Sequence, residues 1–112
     1  MTKTYIQTLD LVDDKELIYF YVDAHRSDRI WPEVVEGIRQ VGITRMDIYR
    51  RGTRLVMVLE MPEELDYDEV FDTLSRLPRQ QEWEEHVGRC QQCNPGDTSS
   101  GKWKTMDKIF SL

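Results

Sequence analysis

Tyr21 and His25 stand four residues apart in a segment where Leu17, Phe20, Tyr21 and Val22 recur at helical spacing. On a helix that separation puts both side chains on one face, a turn apart. An imidazole changes charge near neutral pH, and a phenol beside it completes an acid–base pair able to move protons between oxygens. The plainer reading is a satisfied histidine near a helix end. Trp83, with His86 in the next turn, offers a flat apolar ring of the kind that stacks on a sugar or a base; packing in the core is its plainer role. Trp31 before Pro32 reads as a staple at the start of a helix. Trp103, between Lys102 and Lys104, reads as an edge anchor.

His86, Cys90 and Cys93 are spaced by four and three, so one helix face offers nitrogen and sulfur donors. Cys90-Gln91-Gln92-Cys93 also has redox spacing. Redox pairs of this kind open a helix. This one closes it, where the helix dipole disfavours a thiolate. There is no second such pair and His25 is the only other histidine, so neither a metal site nor a cofactor is expected. Four arginines, Arg45, Arg50, Arg51 and Arg54, gather around one turn. No glycine-rich cradle accompanies them, and a solvated hairpin end is expected rather than a phosphate site.

These residues must be positioned by a short chain. At 112 residues it suits one domain spanning 1–112, and 39% hydrophobic content is enough for a modest core. The net charge of −6 argues against nucleic-acid binding. The longest apolar run, Leu55–Leu59, is far too short to cross a bilayer. Two cysteines make no disulfide framework and no apolar signal segment precedes them, so a soluble, cytoplasmic protein is expected. The acidic run from Glu60 to Asp72 reads as a solvated helix face.

Alternation predicts a strand over Thr4–Leu11, then a helix over Glu16–His25 opened by Asp13 with Glu16 three residues on. Pro32 at a first helical position opens a second helix, striped by Val34, Val35, Ile38 and Val41 and ended by Gly42. Ile43–Tyr49 and Arg54–Met61 read as a hairpin around Arg50–Thr53, with Tyr49 on the face opposite Met46 and Ile48. Asp66 and Glu69 open a third helix through Val70, Phe71 and Leu74, broken at Leu77-Pro78. A fourth runs Gln80–Gln92. A turn-rich loop fills Asn94–Lys102, and Trp103–Leu112 reads as a closing strand. Strand, helix pair, two strands, helix pair, strand is the ferredoxin-like α+β order, a four-stranded antiparallel sheet with helices on one face. The apolar closing strand calls for a cover on the other face, which pairing two sheets in a homodimer would provide.

The chain resembles the L-rhamnose/L-fucose mutarotase family of small dimeric ferredoxin-like enzymes. The likeness rests on Gln7–Leu11, Tyr21 with His25, Ile30-Trp31-Pro32-Glu33, Val41-Gly42-Ile43, Met46-Asp47-Ile48-Tyr49, Gly52–Leu55, Leu77-Pro78-Arg79-Gln80, Glu82-Trp83-Glu84, and Lys102-Trp103 with Met106 and Ile109-Phe110. The family often has histidine four residues before the Trp of Trp-Pro-Glu. Ser27 holds that place here, and His25 is matched through its spacing from Tyr21. Rhamnose-acting members often carry two adjacent tryptophans, whereas Glu84 follows Trp83, so the fucose-acting branch fits better.

The resemblance implies an aldose mutarotase, an isomerase that interconverts the α and β anomers of a 6-deoxy-L-sugar without metal or organic cofactor. L-Fucose is expected before L-rhamnose. It implies His25 as the main acid/base, Tyr21 as its partner or second proton donor, Trp83 as a stacking wall and Tyr49 as a hydroxyl contact. It also implies a homodimer joined through the sheet into an α/β barrel. The competing reading is a non-catalytic ferredoxin-like binding or assembly domain in which these residues only pack.

Overall fold

The computed structural model describes residues 1–93, 97 and 99–112. The elements run β1 (Thr2–Asp10), α1 (Lys15–Ala24), α2 (Pro32–Gln40), β2 (Arg45–Arg51), β3 (Arg54–Pro62), α3 (Tyr67–Ser75), α4 (Gln80–Gly88), α5 (Ser99–Lys102) and β4 (Lys104–Thr105). The four strands form one antiparallel sheet in the order β2-β3-β1-β4, the ferredoxin-like arrangement expected from the sequence.

Period-two alternation decides which side chains face the helices. Leu55, Met57, Leu59 and Met61 of β3 and Leu9 of β1 are buried against them. They pack with Tyr21, Val34, Phe71, Leu74, Trp83, Val87 and Trp103. The alternate residues, including Thr4, Ile6 and Thr8 on β1 and Val56 and Val58 on β3, lie on the other face, which no helix or strand of the described residues covers.

Local signals set most of the boundaries. Pro32 occupies the first turn of α2, and Gly42 ends that segment at φ 100°. Gly52, at φ 59°, turns a two-residue hairpin whose last pair is Arg51 with Arg54. The Asp66 carboxylate accepts from the Glu69 N–H and caps α3.

Several boundaries differ from expectation: β1 spans Thr2–Asp10 rather than Thr4–Leu11, and β2 Arg45–Arg51 rather than Ile43–Tyr49. The cap of α1 is Asp14, not Asp13: its carboxylate accepts from the N–H groups of Glu16 and Leu17. The Val12 N–H donates to the Cys90 carbonyl at 2.8 Å, which keeps the chain outside the helix one residue longer than the capping pattern suggests. The fourth helix stops at Gly88 rather than Gln92, because residues 90–92 instead bond to the end of β1. The closing strand is only Lys104–Thr105, paired with Thr8 and Gln7, followed by a Met106 N–H bond to Ile6. Trp103 is drawn into the core, while Ile109, Phe110 and Leu112 stay exposed, so the apolar content of that segment is not spent on pairing. The loop expected over Asn94–Lys102 contains α5. Asn94, Pro95, Gly96 and Thr98 lie outside the described residues.

Candidate active site

The site begins at the C-terminal end of α1. His25 caps that helix, and its Nδ1–H donates to the Tyr21 carbonyl at 2.7 Å. A carbonyl only accepts, so the proton is on Nδ1 and the Nε2 lone pair is free to act as a base. Burial pulls the imidazole pKa below its ordinary 6.5, against the opposing effect of that backbone bond, so the ring is neutral at pH 7. Tyr21, 3% exposed, is held well above the ordinary phenol range, first by burial. The Gln91 side chain opposes the shift, while the Glu84 charge adds to it. Its hydroxyl therefore remains a proton carrier at any working pH.

Aromatic rings from α1, the start of α2 and α4 meet here. The Tyr21 and His25 ring centroids are 4.3 Å apart, and His25 meets Trp83 edge-on at 5.1 Å. Trp83 meets Trp31 at 5.2 Å, and Trp31 lies 5.1 Å from His86. The Arg79 guanidinium sits 4.0 Å above the Trp31 ring. Trp31 thus does more than staple α2: it holds Trp83 against His25. Trp83 is itself buried and offers the site an edge rather than an open face.

Two hollows share His25. One is a cavity of about 70 Å³ whose lining includes Tyr21, His25, Trp83, Glu84, Gln91 and Trp103. The other is an open groove of about 730 Å³ between α2 and the edge strand β2, running from His25 past Ile38 and Met46 to Tyr49. The groove falls in the size range of small-molecule sites, whereas the cavity admits only part of a ligand. The structure therefore brings Tyr21, His25 and Trp83 together on one hollow, its lining more apolar than polar. Tyr49 is not among them. It is exposed, on the open face of the sheet, at the far end of the groove.

Glu84 and Gln91 also line the cavity, and Lys102 lies behind Glu84. Lys102, its side chain 2% exposed, donates to the Glu84 carboxylate at 2.8 Å and to the Glu84 carbonyl at 3.1 Å. Gln91 is 5% exposed. One signal for it existed: Gln91 stands eight residues after Trp83 and four after Val87, on the same stripe. Nothing in the local pattern pairs Glu84 with a lysine eighteen residues away.

The cysteine segment is placed differently. Cys90 is wholly buried, and the Cys93 thiol donates to the Gly88 carbonyl at 3.7 Å. Burial raises both thiols above their ordinary pKa, which keeps them protonated. His86 packs its ring on Phe20 and Trp31. Among the described residues, no group of three or more His, Cys, Asp or Glu side chains is placed to hold a metal. Of the arginines at the hairpin, Arg45 pairs with Asp47 and Glu60, Arg54 with Asp10, and Arg50 bonds the Gly52 carbonyl.

Fold and site together define a ferredoxin-like α+β domain with an imidazole and a phenol side by side on a small, partly polar cavity. Comparison with known proteins carries this further. The chain belongs to the L-rhamnose mutarotase family, whose model matches residues 4–112. It is 41% identical over 106 residues to an L-fucose mutarotase of Xanthomonas campestris pv. campestris, covering 93% of this chain and 83% of that one. Its fold matches an L-rhamnose mutarotase of Formosa agariphila, with a TM-score of 0.65 at 14% identity over 98% of both chains. It also matches the tetracenomycin F2 cyclase of Streptomyces glaucescens, with a TM-score of 0.63 at 13% identity over 98% of both chains. A polyketide cyclase and a mutarotase on one fold mean that the fold alone does not choose the chemistry.

Proposed function

We propose that this protein interconverts the α and β anomers of a 6-deoxy-L-sugar, L-fucose in preference to L-rhamnose, by proton transfer between its own side chains and the sugar. His25 Nε2 takes the proton of the anomeric hydroxyl as the C1–O1 bond becomes a carbonyl. The bond between C1 and the ring oxygen breaks, and that oxygen receives a proton from the Tyr21 hydroxyl. The aldehyde turns about C1–C2. Closure on the other face runs the transfers backward and restores both side chains. No redox step or group transfer is involved. The sugar lies in the groove with its reacting edge turned toward the cavity, where Trp83 lines the wall. Tyr49 is a hydroxyl contact at the far end.

The observation that carries this reading is the His25 tautomer: Nδ1 is spent on the Tyr21 carbonyl, which leaves a neutral base at the junction of both hollows. The 41% identity to an L-fucose mutarotase supports the choice of sugar. The competing binding-domain reading is content with a filled interior, and an unfilled cavity shared by Tyr21, His25 and Trp83 counts against it.

Two further parts of the reading concern the whole chain. The open sheet face, with Ile6, Val56 and Val58, supports a homodimer joined through the sheet. The free thiols of Cys90 and Cys93 support a cytoplasmic location. Among the described residues, no helix is long and apolar enough to cross a membrane.

Saturation-transfer NMR on L-fucose and L-rhamnose in parallel tests the activity. The protein is expected to speed exchange between the anomeric protons of L-fucose more than those of L-rhamnose. Exchange at the solvent rate for both sugars would remove the proposal.

A further inference from the structure

Gln91 lines the cavity, and its Oε1 stands out among the buried polar atoms. It is buried, and among the described residues nothing donates to it. An unpaired buried carbonyl costs about 1–3 kcal/mol, so its retention calls for a purpose. Its position is fixed from both sides. Gln91 pairs with Leu11 at the end of β1, the Val12 N–H donates to the Cys90 carbonyl at 2.8 Å, and the Gln92 N–H donates to the Asp10 carbonyl at 2.8 Å. The Gln92 side chain adds a bond to the Leu11 carbonyl at 3.0 Å. This short staple ends α4 early and carries the Gln91 side chain to the cavity wall beside Tyr21. Glu84, which also lines the cavity, is held in its pair with Lys102. The Gln91 side chain already hydrogen-bonds Tyr21, yet its Oε1 has no donor among the described residues, and a sugar hydroxyl is one.

We propose that Gln91 is a substrate-binding residue whose Oε1 accepts a hydrogen bond from a non-anomeric hydroxyl of the bound sugar. The inference rests on the mutarotase reading and adds to it a specificity element outside the acid–base pair. A ligand lacking that hydroxyl leaves Oε1 buried and unpaired, so the site rejects it more strongly than a lost exposed contact would explain.

The test uses L-fucose and its 2-, 3- and 4-monodeoxy analogues with the wild-type chain and with Gln91→Met, which keeps length but loses the acceptor. Anomer exchange is measured by NMR, and binding by ligand-observed saturation. In the wild type, one analogue is expected to bind about tenfold more weakly than L-fucose, the loss of roughly one hydrogen bond. Gln91→Met should raise KM for L-fucose about tenfold and abolish discrimination against that same analogue. Unaltered discrimination in Gln91→Met overturns the proposal. So does a wild-type protein that binds all three analogues as well as L-fucose, a result that needs no variant to fold. If the wild type accelerates neither L-fucose nor L-rhamnose, the mutarotase reading falls and this inference with it. Acceleration with no role for Gln91 sinks the inference alone.

Discussion

His25 joins two demands that usually conflict. A histidine at a helix C-terminus is favoured as a cation, because the last carbonyls carry partial negative charge. Burial disfavours the cation and here outweighs the backbone bond, so the pKa falls below 6.5. For catalysis the neutral form is the base, so kcat/KM is expected to hold level from pH 8 to below 6.5 and to fall only as pH drops through the lowered pKa. A decline already complete at pH 7 would contradict this. Stability follows the same sign. The unfolded chain takes up a proton on this histidine near 6.5, before the folded chain does, so this contribution is intact above that pH and is lost as acid is added. His25→Gln should keep the fold and lower kcat about 100- to 10,000-fold. Undiminished exchange in that variant would take His25 out of the mechanism.

At the scale of elements, the site depends on how closely α2 and α4 approach. Gly37 is buried at their crossing, and an added Cβ would lie 2.3 Å from Gln80 Nε2. That amide donates to the Glu33 carbonyl at 3.0 Å and so ties α4 to the start of α2. Trp31 leads into α2 and Trp83 lies on α4, so any separation reaches the ring that His25 leans on. Gly37→Ala is therefore expected to cost about 1–3 kcal/mol in urea unfolding, by overpacking. It should also lower sugar affinity although it touches no sugar. Wild-type stability in that variant would mean that Gln80 swings aside without loss.

At the scale of the molecule, the sheet has one dressed face and one bare one. Ile6, Val56 and Val58 form an apolar strip on the bare side, next to Arg45 with its carboxylate partners Asp47 and Glu60. Exposed Phe110 and Ile109 in the C-terminal segment add apolar surface. Val58→Lys places a charge in the middle of that strip and is expected to convert a dimer into a monomer in sedimentation equilibrium. A wild-type chain that sediments as a monomer at all concentrations would remove the sheet-to-sheet dimer. A variant that remains dimeric would move the interface elsewhere.

The sequence by itself determined what short-range physics can determine. The i, i+4 spacing of Tyr21 and His25, the stop at Gly42, the turn at Gly52, the cap at Asp66 and the alternation in β3 each act within a few residues. All are present in the structure. From these the element order follows, and with it the ferredoxin-like sheet. The tertiary structure decided what depends on partners far along the chain. It moved the α1 cap to Asp14 because Val12 is held by Cys90, and it cut the closing strand to two residues while Trp103 turned inward. It also set Tyr49 apart from the acid–base pair and brought Lys102 to Glu84 and Gln91 to Tyr21. The partner of a buried polar side chain leaves no periodic trace. Its place is set by the distant backbone that anchors it and by the neighbours that exclude water, and neither exists until the chain has closed.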